Sequence, residues 1–445
     1  LALLTCPPHR CPAVRAAHWT AAVQEAKKRD QPPHTPDIMT PAPHTPPSPT
    51  PLPLRLPVLV GATTLVQALV TLATLAIATL GPTVTRALGV SPETVGYQMS
   101  LVYLAGACSA ALGGTLVARF GAGRVAQAAL VLCGGGCALA ALGSLWVLLP
   151  ASILIGVGYG LTNPSSSHVL FRFSPARHRN LIFSLKQTGV PLGGVLAGLM
   201  LPPLSLALGW QAGLVTAAAL ALVVAVALQQ ARTAWDDDRR PDAPLRGDPL
   251  ASLRLIWGHE PLRALALMTF CFAAVQLCLT TFLVTLLVED LGRSLVLAGA
   301  VASVVQVAGA LGRVFWGWLA DRLGGGLMTL VLIGTVSVVC SATAGLMTPA
   351  WTTPAIVAVL TVYGLSAIGW NGVFLAEVAR LCPPGKVGLA TGGALFFTFG
   401  GVAVGPALYS LMVPLLGGYA ITYPAIGLFA LAGTVLIWRA RRLAR

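Results

Sequence analysis

Gly114-Thr115-Leu116-Val117-Ala118-Arg119-Phe120-Gly121 and Gly317-Trp318-Leu319-Ala320-Asp321-Arg322-Leu323-Gly324 close two stretches that can be laid on one another without a gap. Residues 88–121 then superpose on residues 291–324 with identity at about 13 of roughly 34 positions, far more than two unrelated apolar helices share. Tyr159-Gly160-Leu161 is echoed by Tyr363-Gly364-Leu365, and Gln67 and Thr71 by Gln276 and Thr280. Echoes in one order at a nearly constant offset mean two homologous halves. Two membrane-embedded halves with a gap between them are the build of an alternating-access transporter.

The bulk numbers place those halves in lipid. The chain is 56% hydrophobic and 9% charged, against about 25% charged in a soluble domain. Its net charge of +14 does not point to nucleic acid, because the cations sit in short loops between apolar runs. The cysteines that fall in those runs read as small core residues. No metal site and no cofactor is expected.

Roughly 20 apolar residues cross a bilayer as a helix. By that rule the chain is expected to be an all-α membrane protein of about twelve transmembrane helices in two six-helix bundles. The spans are expected near 57–81, 95–117, 123–143, 146–171, 181–203 and 209–230, then near 263–288, 295–319, 326–346, 353–379, 387–412 and 419–438. Residues 57–230 thus form the first bundle and 263–438 the second. Residues 231–262, with Asp236-Asp237-Asp238-Arg239-Arg240, read as a solvated linker with room for a short surface helix near Leu250–Trp257, and 439–445 as a basic tail. Residues 1–56 are proline-crowded toward their end and read as a disordered tail. Since the first methionine is Met39, residues 1–38 are expected to be upstream sequence rather than protein. The loop cations gather on one side, including Arg119, Arg124, Arg172, Arg177, Arg246, Arg322, Arg380, Lys386 and Arg445. The opposite loops hold Arg86 and Arg293. The positive-inside rule then makes both termini cytoplasmic.

The two Gly-x-Leu-x-(Asp)-Arg-x-Gly runs resemble the signature that joins spans 2–3 and 8–9 in the major facilitator superfamily. That resemblance implies two six-helix bundles rocking about a cavity lined by spans 1, 4, 7 and 10. It also implies a salt-bridge latch at the cytoplasmic helix ends, here Asp321, Arg322, Glu377 and Arg380, with Arg119 in the first half. Ala118 and Phe173 stand where the first half should carry acids, so its latch is expected to be weak or absent.

Charges within spans are costly and mark function by default. No expected span holds a carboxylate at mid-depth, yet two hold cations: Lys186 and Arg313. Arg313 lies eight residues before Asp321, roughly 12 Å from the helix end at 1.5 Å per residue. A guanidinium offers a planar fork suited to carboxylates. Gly312-Arg313 followed by the signature is similar to span 8 of oxalate/formate-type and monocarboxylate-type members, where an embedded arginine meets the anion. Lys186 and Arg313 are therefore expected to grip one anion from two sides. The alternatives are a Lys186 that snorkels to the interface and an Arg313 that bonds backbone carbonyls. Gln67, Tyr159, Asn163, Gln276, Tyr363, Trp370 and Asn371 are expected to complete a polar lining. His168 is a further candidate for proton transfer. Helix 5 carries Gly189-Val190-Pro191-Leu192-Gly193-Gly194, which reads as a proline-eased helix packed through small residues.

The expectation is a secondary active transporter, not an enzyme. It would move a small anionic solute, an organic carboxylate, across the bacterial inner membrane as a monomer. The bacterial assignment follows from an Ala/Gly/Leu-rich, lysine-poor composition. Protons are the expected coupling ion, with no nucleic-acid partner. The alternatives are a multidrug or metabolite efflux proton antiporter and a non-transporting membrane sensor.

Overall fold

A backbone crossing a bilayer must satisfy its own polar groups, which leaves helices for sequences of this apolar character. The computed structural model describes residues 56–174, 179–242, 249–323, 325–383 and 387–443. The tail before Leu56 lies outside the described residues, as do Arg177, Arg246, Lys386 and Arg445. Twelve helices are long and apolar enough to cross a membrane. Spans 1–6 are Leu56–Thr79, Thr94–Phe120, Ala122–Ala140, Leu145–Phe173, Leu185–Leu208 and Trp210–Ala227. Spans 7–12 are Glu260–Asp290, Leu295–Arg322, Gly326–Ala344, Thr353–Leu381, Ala390–Leu416 and Tyr419–Arg441. An even count puts Leu56 and Leu443, the ends of the described residues, on one face. Spans 1 and 7 are the most enclosed, 72% and 83% buried, as central helices of two bundles should be.

The halves meet along spans 5 and 8 and along spans 2 and 11. Gly198 and Gly299 make the first seam possible. A Cβ on either would run into the carbonyl oxygen of the other. Ser303 Oγ donates across the same seam to Val195 O at 3.1 Å. Near the face opposite the termini, Arg86 pairs with Glu289 at 2.6 Å. There Tyr419 Oη donates to Glu93 Oε1 at 3.1 Å, and Ser410 Oγ to Glu93 O at 2.7 Å. The described hydrogen bonds and ion pairs between the halves run from this face inward and end at Arg313. These contacts tie the two halves together on the face away from Leu56 and Leu443.

Asp237, Asp238, Arg239 and Arg240 are exposed, as expected from the linker's charge, but the residues just before them dock. Trp235 is buried, and Asp236 Oδ1 accepts from Gly123 N at 2.6 Å at the start of span 3. Arg172 pairs with Asp237, and His168 Nε2 lies 2.8 Å from Asp238 Oδ2. Arg240 N donates to Ala118 O at 2.7 Å. In the second half the corresponding carboxylate is Glu377, which accepts from Gly326 N at 3.0 Å and from Arg380 Nη2 at 2.6 Å. Gly123 and Gly326 are related by the same offset that relates the two signatures. Each lets a carboxylate approach where a Cβ would crowd it. The expectation of a first half without an acid is thus corrected. The acid comes from the linker instead of from span 4, and it satisfies the free N–H groups of a helix start. Past residues 243–248 the linker forms a helix, Pro249–Gly258, with Ile256 buried and Gly393 of span 11 packed on Ser252 O.

The latch residues divide. Glu377 and Arg380 engage, whereas Asp321 is exposed and carries no hydrogen bond or ion pair among the described residues. Arg322 stacks on the Trp318 ring at 4.2 Å, and Arg119 lies over Phe120 at 5.8 Å. Glu377, and not Asp321, holds the start of span 9.

Two outcomes follow. Asp236→Ala should lower stability by about 1 kcal/mol, the cost typical of losing a helix cap, and Glu377→Ala by at least as much. Thermal unfolding of the purified protein checks this, and an unchanged Asp236→Ala would make the contact inert. Gly299→Leu should pry the seam open. Spin labels at Ala87→Cys and Ala350→Cys in a cysteine-free background should then report a longer separation than in the parental protein.

Candidate substrate site

A helix Arg179–Gln187 leads into span 5 and is separated at Thr188 from the helix Gly189–Leu208 that makes up most of it. The cause is Pro191, which has no N–H to donate to the carbonyl four residues back. That carbonyl belongs to Gln187. Thr188 N bonds Leu185 O at 3.1 Å and Leu192 N bonds Thr188 O at 3.0 Å, so Gln187 O is left over. Arg313 reaches across from span 8 and donates to it from Nη1 at 3.1 Å. Arg313 Nε is buried with no partner, and no carboxylate pairs with this guanidinium among the described residues.

Lys186 stands beside the same break. It is 2% exposed, so it does not snorkel. Its ammonium donates to Asn163 Oδ1 at 2.6 Å, to Gln67 Oε1 at 2.8 Å and to Gln187 Oε1 at 3.3 Å. Three neutral amides thus satisfy its three N–H groups. Gly189 allows this, since a Cβ there would strike Thr64 O and Gln67 of span 1. Gln67 passes the chain on, with Nε2 3.4 Å from Thr71 Oγ1.

The second half has its own polar cluster at a second break. Span 10 is interrupted between Thr353–Ala367 and Asn371–Leu381. Gln276 Oε1 of span 7 accepts from Trp370 Nε1 at 3.0 Å and from Asn371 Nδ2 at 3.3 Å. Asn371 Nδ2 also bonds Ile368 O at 3.3 Å, which supports the interrupted turn. Trp370 is fully buried, edge-on to Phe272 and Phe374. Such breaks within membrane helices are tolerated where protein or a cavity receives the freed backbone groups.

The structure therefore joins Gln67, Asn163, Lys186 and Arg313 through Gln187, and gathers Gln276, Trp370 and Asn371 in the other half. Tyr159 is half-buried and edge-on to Tyr103 at 5.1 Å. Tyr363 does not join the lining expected for it. It is fully buried against Tyr423, in an aromatic cluster with Tyr409. Span 10 packs that ring into the buried aromatic cluster of its own half. His168 is likewise taken up by Asp238 in the linker. Gln187 was not among the expected residues. Its signal was in the sequence, as the residue four before a proline inside a span.

The comparisons with known proteins agree with this architecture. A bacterial homolog of the human lysosomal transporter Spinster, in an inward-facing and unoccupied conformation, superposes with a TM-score of 0.72 at 16% identity, over 87% of this chain and 97% of that one. Monocarboxylate transporter 13 of Bos taurus is 26% identical over 292 residues, 64% of this chain and 65% of that protein. The 4-hydroxybenzoate transporter of Pseudomonas aeruginosa is 27% identical over 287 residues, 56% of this chain and 62% of that protein. An uncharacterized MFS-type transporter of Mycobacterium tuberculosis is 26% identical over 63% of this chain and 62% of its own length. The chain thus spans a little under two thirds of the length of these curated relatives. The pattern of the Major Facilitator Superfamily matches residues 63–406. With that match over most of its length, twelve spans in two repeated halves and the two signatures, the chain belongs to the Major Facilitator Superfamily.

Proposed function

We propose that this chain is a secondary transporter of a small organic carboxylate, bound between the halves at Arg313. The observation that carries the reading is the state of that arginine. A permanently charged guanidinium sits within a span, spends one N–H on the free Gln187 carbonyl, and has no carboxylate partner among the described residues. A cation at such depth costs on the order of 3 kcal/mol on insertion scales, so an uncompensated one points to a ligand that brings the counter-charge. Two relatives carry names for anion transport, a monocarboxylate transporter and a 4-hydroxybenzoate transporter. Both substrates named there bear a carboxylate.

Alternating access follows from the seam. Arg313 and Gln187 belong to different halves and form the innermost described hydrogen bond between them. A carboxylate that draws the Arg313 fork off Gln187 would loosen the halves where they must part. The protein works in a bacterial inner membrane with both termini cytoplasmic, and takes up its solute together with a proton. That proton would travel on the solute or on water, since no expected span carries a mid-depth acid.

Arg313→Gln should abolish uptake of labelled carboxylates into proteoliposomes while leaving the unfolding temperature close to parental. Arg313→Lys keeps the charge but loses the planar fork, and should lower uptake by about tenfold or more. Parental uptake by Arg313→Gln would refute the site. Uptake of lipophilic cations, with no carboxylate taken up by the parental protein, would refute the substrate class.

A further inference from the structure

Resting on the carboxylate reading, we infer that Lys186 is a positioning residue. It turns the amide N–H groups of Asn163 and Gln187 toward the solute and does not itself touch it. An ammonium can only donate, so each amide it touches must present oxygen. Asn163 does so at 2.6 Å and Gln187 at 3.3 Å. The other end of each amide is then an NH2 group, with its orientation fixed by the lysine. The Gln67 nitrogen is enclosed and directs one N–H at Thr71 Oγ1, 3.4 Å away. The Asn163 and Gln187 nitrogens bond no acceptor among the described residues and are not enclosed.

The result is one connected array that shows donors only. Asn163 Nδ2 and Gln187 Nε2 belong to it, and Arg313 joins through the Gln187 carbonyl with its remaining N–H groups. Such an array suits a ligand that only accepts and is negative, which is a carboxylate. A ligand with its own N–H groups would meet donor against donor. Lys186 contributes its charge from behind. Its three N–H groups are committed and its side chain is covered, so direct contact would require breaking one of its bonds. The second half repeats the device with another obligate donor. The indole N–H of Trp370 fixes Gln276 Oε1 and leaves Gln276 Nε2 pointing away.

Binding of formate, acetate, L-lactate, pyruvate, oxalate and benzoate to the purified full chain tests this through a double-mutant cycle. With the tightest of these probes, Lys186→Met should raise Kd about tenfold in the parental background. In the Asn163→Ala/Gln187→Ala background it should raise Kd less than about twofold, because the groups it orders are gone. The same tenfold cost in both backgrounds would mean direct contact and overturn the inference while leaving the carboxylate site standing. Asn163→Asp covers a Lys186→Met that does not fold. It keeps the oxygen toward Lys186 and replaces the outward N–H2 with a second oxygen. It should bind at least about tenfold more weakly at a parental unfolding temperature. An unchanged Kd for Asn163→Asp would also overturn the inference. Absence of binding to any probe by the parental protein would instead sink the carboxylate reading, and this inference with it.

Discussion

One missing hydrogen bond organises the centre of this molecule. Pro191 cannot donate to Gln187, and in a span a carbonyl without a partner costs free energy that water would otherwise offset. The chain meets that demand from the opposite half, with Arg313. The same break brings Lys186 against Gln67 and Asn163. A backbone defect in span 5 thereby fixes where the halves touch, where the charge sits and which amide atoms remain free.

The seam around that point is graded. Toward the face away from the termini it is dense, with glycine-to-carbonyl packing at Gly198 and Gly299 and an ion pair at Arg86–Glu289. Toward the termini the described hydrogen bonds between halves stop at Arg313. There the linker takes over in part. Its acids dock on spans 3 and 4, and its helix packs on span 11, so a single segment touches both halves. Any movement of one half against the other would have to carry that segment along. The two halves solve the same local problem, an uncapped start of spans 3 and 9, with carboxylates from different places. The repeat is conserved in physics at that point more than in sequence.

How much could be read from the sequence depended on whether the signal was local. Span lengths and the repeat are set by apolar runs and glycine spacing, and the expected twelve spans agree with the observed ones to within a few residues. Gln67, Asn163, Lys186 and Arg313 stood out as polar groups inside such runs, and the structure links them. Asp236 was misread because its partner, Gly123, is over a hundred residues away and nothing local distinguishes a docked acid from a solvated one. Tyr363 was misread because a tyrosine in span 10 looks the same whether its ring faces the cavity or Tyr423. Asp321 matched its signature position yet is exposed, and the contact to span 9 is made by Glu377. The role of Gln187 needed a backbone atom, which a search for side chains passes over.

The most direct test is a distance from the bound solute to nitrogen. Rotational-echo solid-state NMR on the protein in bilayers, with a 13C-carboxylate probe and 15N-labelled arginine side chains, measures the carbon-to-guanidinium separation. The account predicts dephasing consistent with about 4 Å, the reach of an arginine–carboxylate pair. That dephasing should vanish in Arg313→Lys. A bound carboxylate that shows no dephasing from arginine nitrogen, or strong dephasing from 15N-labelled lysine instead, would contradict it.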